Sequence, residues 1–447
     1  MQTAPLDTAN WQIEGELDIP TFNGRPARQI YLDTIGLTKL DPFATPVAEQ
    51  ELALSVAPRP SLWVAPLSEG ESRTPTFFEF VSPPPLSGLP AGQTIQQVLG
   101  VLREPRSAFL YGPPGIGKTT LRLALEADCR RRPDRILVIS YPLTADLNEP
   151  PNLEAHWSQL AEALAIDLFI QIVEQFSPLD PEPMPAQIDA LRTQIRIGGH
   201  GLRRLAERIL DEPEPEALVG LGLLWPAVDR PAVRRVVRST ALINLLHRSL
   251  QDDTPSLSSP VGEQAILAGL QATDRWGFQK AFVLVDGVDT RRRDHKFMLA
   301  LIRPLLNALP KWESHHLFFK FFLPLELRTA VSTAIKRMTP HLTSQPFESI
   351  IGPWNSSSLQ KLLAERFRVG GSRRVGFGDL AVPELRGQLD GLLIQAARGS
   401  PRRLLQIISR LIDTHAIRDP HDRLISLADW NYVSQRLSSD PLLRIDT

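Results

Sequence analysis

Between residues 111 and 120 the chain reads YGPPGIGKTT, and Gly112, Gly117, Lys118 and Thr119 fall at the G-x-x-x-x-G-K-[ST] spacing that holds phosphate groups. Gly112 and Gly117 stand where a side chain would hinder a tight turn and the close approach of backbone to phosphate. Pro113, Pro114, Gly115 and Ile116 span the loop between them. The amides from 115 to 120, Thr120 included, are expected to face phosphate oxygens, aided by the positive end of the helix that starts there. Lys118 is expected to set its ammonium between the β- and γ-phosphates, with the Thr119 hydroxyl offered to Mg2+. Only eight lysines occur against 41 arginines, so a lysine at this position is informative.

A second stretch, AFVLVDGVDT, puts Asp286 at the end of an apolar run and Asp289 three residues later. A buried parallel strand reads as a continuous apolar run, and its carboxyl end faces the crevice where ligands bind. Asp286 is therefore expected to reach Mg2+ through water. Asp289 is placed to orient or deprotonate an attacking water, although a turn also favours aspartate there. The nine histidines, the pair His315 and His316 included, lack ligand partners at useful spacing, and the single Cys129 cannot form an intramolecular disulfide or a zinc site. No nucleophile elbow or redox pair is present.

These residues need elements to position them. From about residue 92 the pattern runs helix (TIQQVLGVLR), strand (AFLY), loop, helix (TTLRLALEADCRRR) and strand (RILVISYP), which implies parallel strands. Helical patterns fill 152–250, with proline-bearing breaks at 178–185 and 213–215. Apolar strand candidates return at AFVLVD (281–286), HLFFKFFL (316–323) and FESIIG (347–352), with a helix-like RRDHKFMLALIRPLLNAL between the first two. The last eighty or so residues read as helical, and no repeat of fixed period is visible. Residues 1–90 are rich in proline and poor in helical periodicity, and SPPPLSGLP (82–90) closes them as an extended linker.

The 447 residues leave room for two or three domains, each with its own core. A charged fraction of 22% beside 43% hydrophobic residues describes a mostly globular chain. The net charge of -1 argues against whole-protein attraction to nucleic acid or anionic membrane but leaves a local basic patch open. The apolar stretches ALVGLGLLWPAV (217–228) and HLFFKFFLPL (316–325) are shorter than the roughly 20 residues of a spanning helix and suit buried core. The start, MQTAPLDTANWQIEGELD, lacks the basic flank and apolar core of a secretory signal, so a cytoplasmic protein without membrane attachment is expected.

With both motifs placed, the sequence resembles the additional-strand class of P-loop NTPases and, within it, the AAA+ and STAND-like ATPases. The resemblance covers roughly residues 95–145 and 278–447. It implies an α/β fold: a three-layer, parallel-sheet P-loop NTPase core over 91–353, in which an extra strand separates the Walker A strand from the Walker B strand. A helical insertion at about 152–270 and a C-terminal helical lid over 354–447 complete it, with 1–90 as a proline-rich N-terminal segment. DGVD looks more like the STAND pattern than the AAA+ Asp-Glu pair. HLFFKFFLPLELR falls at the sensor 1 strand, but Pro324 and Leu325 offer no polar side chain at its end. GPWNSSSLQKLLAERF (352–367) resembles the start of the lid, with Asn355 or Ser356 as N-cap. ARGSPRRLL (397–405) resembles sensor 2, from which Arg402, or failing it Arg403, would reach the γ-phosphate.

The implied function is an ATP-binding and ATP-hydrolysing, Mg2+-dependent molecular switch, with ATP between core and lid, that controls self-association or the binding of a protein partner. The alternative is a nucleic-acid-associated AAA+ ATPase of the initiator or transposition-helper type, motivated by the arginines of RFRVGGSRR (366–374) and RGSPRR (398–403). Those arginines could equally answer ATP or acidic neighbours. A small-molecule kinase shares the loop, though no compact acceptor pocket is evident, and a non-hydrolysing ATP binder is a further alternative. The insertion is expected either to bind a partner or to form an internal core.

Overall fold

The computed structural model describes residues 20–44 except 23, 39 and 40, then 86–87, 95–131, 135–143, 152–175, 181–211, 239–251, 260–289 and 293–439. The apolar stretch 217–228, the break at 213–215 and most of the 82–90 linker lie outside the described residues.

Five strands form one parallel sheet: β3 (Ala108–Gly112), β4 (Ile136–Pro142), β5 (Lys280–Asp286), β6 (Leu317–Pro324) and β7 (Phe347–Ile350), in the order β4-β5-β6-β3-β7. A small antiparallel ribbon, β1 (Thr21–Phe22) with β2 (Arg25–Pro26), stands apart from it. Strands β3, β4, β5 and β6 read as near-continuous apolar runs because helices cover the sheet on both sides. Alternate residues go to opposite faces, as the strand period of two demands. Phe109, Tyr111, Ile139, Val283, Phe319 and Phe321 enter one core, while Leu110, Val138, Phe282, Leu284 and Phe322 enter the other.

The first core lies under α4 (Leu153–Gln175), α8 (Gly262–Arg275), α9 (His295–Glu313) and α10 (Arg328–Met338), and α5 (Pro185–Ile197), α6 (Gly199–Asp211) and α7 (Thr240–Leu250) extend it outward. The long stretch after β4 is thus not a separate body. Its first helix packs along β4 and against α8, and Trp157 meets Trp312 of α9 edge to face at 5.4 Å. Its apolar side chains Leu164, Phe169, Leu191 and Leu245 belong to the same core as the sheet.

The second core lies under α2 (Ile95–Leu102), α3 (Lys118–Arg131) and the C-terminal helices α11 (Ser356–Val369), α12 (Leu389–Ala397), α13 (Pro401–Arg418) and α14 (Leu427–Ser439). Asn355 is the residue that caps α11, accepting from the Ser358 amide at 2.8 Å.

The N-terminal segment differs from its expectation. Residues 27–34 form a helix, α1 (Ala27–Thr34), whose Ala27, Tyr31 and Leu32 are buried against α13. Arg28 bonds Asp41, Asp413 and the Ser409 hydroxyl, Arg366 donates to the Pro42 carbonyl at 2.8 Å, and Phe43 packs on Phe367 and Phe377. Eight residues are too few to show a period, and a helix this short is held by tertiary contacts rather than by propensity. Leu86 bridges to Ile351, so the chain passes beside the end of β7 before α2. Among the described residues no helix is long and apolar enough to cross a membrane.

Candidate functional site

The carboxyl ends of β3 and β5 carry the residues singled out in the sequence. β6 pairs with both strands and separates them, so the loop after β3 and the turn after β5 face each other across one strand. The loop leaves β3 at Gly112, and α3 begins at Lys118. Gly115 and Gly117 take φ of 71° and 105°, a region that disfavours any side chain. At Gly112 the constraint is space, since a Cβ would lie 2.8 Å from Ile116 Cγ2. The glycines of the loop thus answer two different physical constraints, backbone conformation at Gly115 and Gly117 and space at Gly112.

Lys118 is buried and turned back over its own loop, donating Nζ to the carbonyls of Gly112 at 2.9 Å and Pro113 at 3.3 Å. Its ion-pair partner is Asp289, 3.5 Å away. Thr119 donates its hydroxyl to Asp286 Oδ2 at 2.8 Å, and the amide of Gly287 donates to the other oxygen, Oδ1, at 2.8 Å. Lys118 and Thr119 thus meet Asp286 and Asp289, more than a hundred and sixty positions away in sequence, at one end of the sheet.

Two hard oxygen donors side by side, the Thr119 hydroxyl and the Asp286 carboxylate, fit Mg2+, which binds proteins through one or two such groups and takes its remaining ligands from phosphate and water. Among the described residues no group of three or more His, Cys, Asp or Glu side chains gathers to make an all-protein metal cage.

Arg122, which the sequence reading passed over, completes the site from beneath. It is buried, donates Nε to Asp286 Oδ2 at 3.2 Å and Nη1 to the Ser140 hydroxyl at 2.9 Å, and lies 3.8 Å from Glu126. Glu126 in turn sits 3.4 Å from Arg130, which reaches Glu174 and Asp167 on α4 at 3.4 and 3.8 Å. Burial works against the charge on Arg130, but Glu174, Glu126 and Asp167 outweigh it and hold its pKa above the ordinary arginine value. The signal was the i, i+4 spacing of 122, 126 and 130 on one helix face, which reads by itself as a solvated charged stripe.

The starts of α11 and α13 supply further contacts. Arg402 is half-buried at the start of α13, and its backbone amide donates to the Gly115 carbonyl at 3.3 Å. Ser400 caps α13 through the Arg403 amide and also donates its hydroxyl to Gly115 O at 3.2 Å. Trp354 donates its indole N–H to the Ile116 carbonyl at 2.9 Å. Ser400 and Trp354 lie within the stretches 397–405 and 352–367, but neither residue was singled out there. At the end of β6, Pro324 and Leu325 bring no polar group to the site, and the next polar residue, Glu326, pairs with Arg293.

Of the arginines that motivated a nucleic-acid reading, Arg366 is buried on the Pro42 carbonyl and Arg368 pairs with Glu365. Both answer neighbours in this chain. No protein-family model matches the chain, and no curated protein matches it either.

Proposed function

We propose that the chain is a P-loop NTPase of the additional-strand class, a Mg2+-dependent ATPase of the AAA+/STAND-like kind that works as a molecular switch. The observation that carries the reading is the meeting of Lys118, Thr119, Asp286 and Asp289 at the carboxyl ends of β3 and β5, two strands with β6 between them. Ligands of open α/β sheets bind at such strand ends. The glycine loop and the first turn of α3 supply main-chain amides for the phosphates.

In this reading Lys118 exchanges the Gly112 and Pro113 carbonyls for phosphate oxygens, whose charge makes the stronger acceptor. Thr119 and Asp286 hold Mg2+, which neutralises charge on the triphosphate. Asp289 orients the attacking water and accepts its proton once Lys118 turns to the phosphates and releases it. Arg402 approaches from the lid, so loss of the γ-phosphate alters what the lid rests on, and that change is passed to assembly or to a protein partner.

The test is phosphate release by the full chain with ATP and Mg2+, with and without duplex DNA. Turnover that needs Mg2+ and ignores DNA supports the reading. Turnover only with DNA would favour the nucleic-acid-associated alternative, and no nucleotide binding at millimolar ATP would end both.

A further inference from the structure

The two peptide groups flanking Ile116 are gripped from outside the phosphate loop by residues of the lid. Trp354 Nε1 donates to the Ile116 carbonyl at 2.9 Å, in a buried contact. One peptide earlier, the Gly115 carbonyl accepts from the Ser400 hydroxyl at 3.2 Å and from the Arg402 amide at 3.3 Å. A trans peptide is planar, with its carbonyl and its N–H on opposite sides. Holding the Ile116 carbonyl on Trp354 therefore turns the Gly117 N–H away from the lid contact, and holding the Gly115 carbonyl does the same for the Ile116 N–H. Those amides belong to the row of donors that a phosphate cradle needs.

The gripping residues form one unit although they come from two helix starts. The Trp354 amide donates to the Gly399 carbonyl at 2.9 Å, tying the segment before α11 to the segment before α13. Gly399 has φ of 78°, and a Cβ there would lie 2.6 Å from Pro353 Cβ. Packing against the loop is equally close. A Cβ on Gly115 would lie 2.9 Å from both Ser400 Oγ and Arg402 Cβ, and the nearest group to a Cβ on Gly117 is the Trp354 ring at 3.8 Å.

We propose that Trp354 and Ser400 are positioning residues that latch the phosphate loop to the lid, so that the loop's amides are aimed only while the lid is docked. The inference rests on the nucleotide reading above and gives that site its means of regulation. Lid docking and phosphate binding then favour each other by the same factor, as linkage requires.

Trp354→Phe keeps an aromatic ring at the position, smaller than the indole, and removes the donor. In the full chain without nucleotide, hydrogen exchange across 111–120 should speed up while β5, β6 and the thermal midpoint stay close to wild type. A role in general stability would instead raise exchange everywhere, and that result, like unchanged exchange in the loop, would overturn the latch. With a fluorescent ATP analogue and Mg2+, the variant should bind roughly tenfold more weakly, the order expected when a buried carbonyl loses its donor. ATP should also slow exchange across 352–356 and 397–403 in the wild type, and less so in the variant.

Should Trp354→Phe fail to fold, Ser400→Ala carries the same two readouts, with the frayed start of α13 scored separately. A wild type that binds no analogue would overturn the nucleotide reading itself. A wild type that binds it, beside a Trp354→Phe variant with equal affinity and equal loop exchange, would overturn the latch alone.

Discussion

The Thr119 hydroxyl donates to Asp286 Oδ2 across 2.8 Å, although 167 positions separate the two residues in sequence. The contact exists because β6 pairs with both β3 and β5, and α3 leans back over the sheet so that its first turn reaches the end of β5. The same carboxylate oxygen accepts from Arg122 one turn further along α3. One aspartate is therefore tied both to the exposed end of the site and to the buried charges behind it.

Asp289→Asn should separate binding from hydrolysis. The amide keeps the side chain's shape but cannot take a proton, so ATP affinity should stay close to wild type while hydrolysis slows by about 10²–10⁴-fold, the usual worth of a general base. Single-turnover phosphate release measures it. An unchanged rate would remove Asp289 from the chemistry.

Arg122→Ala should be among the most damaging changes outside the apolar core. It leaves Asp286 and Glu126 both buried without the guanidinium they share, and breaking a buried ion pair from one side costs about 3–5 kcal/mol. Urea unfolding of the variant should show that loss. A change below about 1 kcal/mol would mean that the pair is solvated in solution.

Much of the site was legible because its signals are local. The glycines, Lys118 and Thr119 lie within eight residues, and Asp286 ends an apolar run long enough to read as a buried strand. What stayed hidden depends on distant partners. The stripe of Arg122, Glu126 and Arg130 looks solvated until α4 brings Asp167 and Glu174 against it, and no spacing within α3 announces that burial. Helix α1 has eight residues and owes its place partly to Arg28 meeting Asp413, 385 positions away. Trp354 follows a proline and precedes a cap, a context that describes a helix start and says nothing about Ile116. The order of strands was reached only through resemblance, since no single strand encodes its neighbours.

Lys320 predicts a pH dependence of stability. It lies buried within β6, donating to the carbonyls of Glu104 and Arg106 and resting 4.4 Å from the Phe282 ring centre, and burial pulls its pKa down to about 7 from an ordinary 10.5. Between those values the unfolded chain binds more protons than the folded one, so stability rises with pH across that interval; below pH 7 both states are protonated and the penalty is at full value. The thermal midpoint of the wild type, taken relative to Lys320→Met, should therefore climb between pH 7 and pH 9. A difference that stays constant over that range would show that Lys320 keeps its charge in the fold.

The central claim is that the loop at 111–120 and the carboxylates after β5 make one nucleotide site, and calorimetric titration of the full chain with ATP and Mg2+ tests it most directly. The account predicts one ATP bound per chain, weaker binding when Mg2+ is chelated, and a loss of at least about tenfold in Lys118→Ala, which removes a charge-assisted bond to phosphate. Absence of ATP binding by the wild type, or binding by Lys118→Ala as tight as wild type, would contradict it.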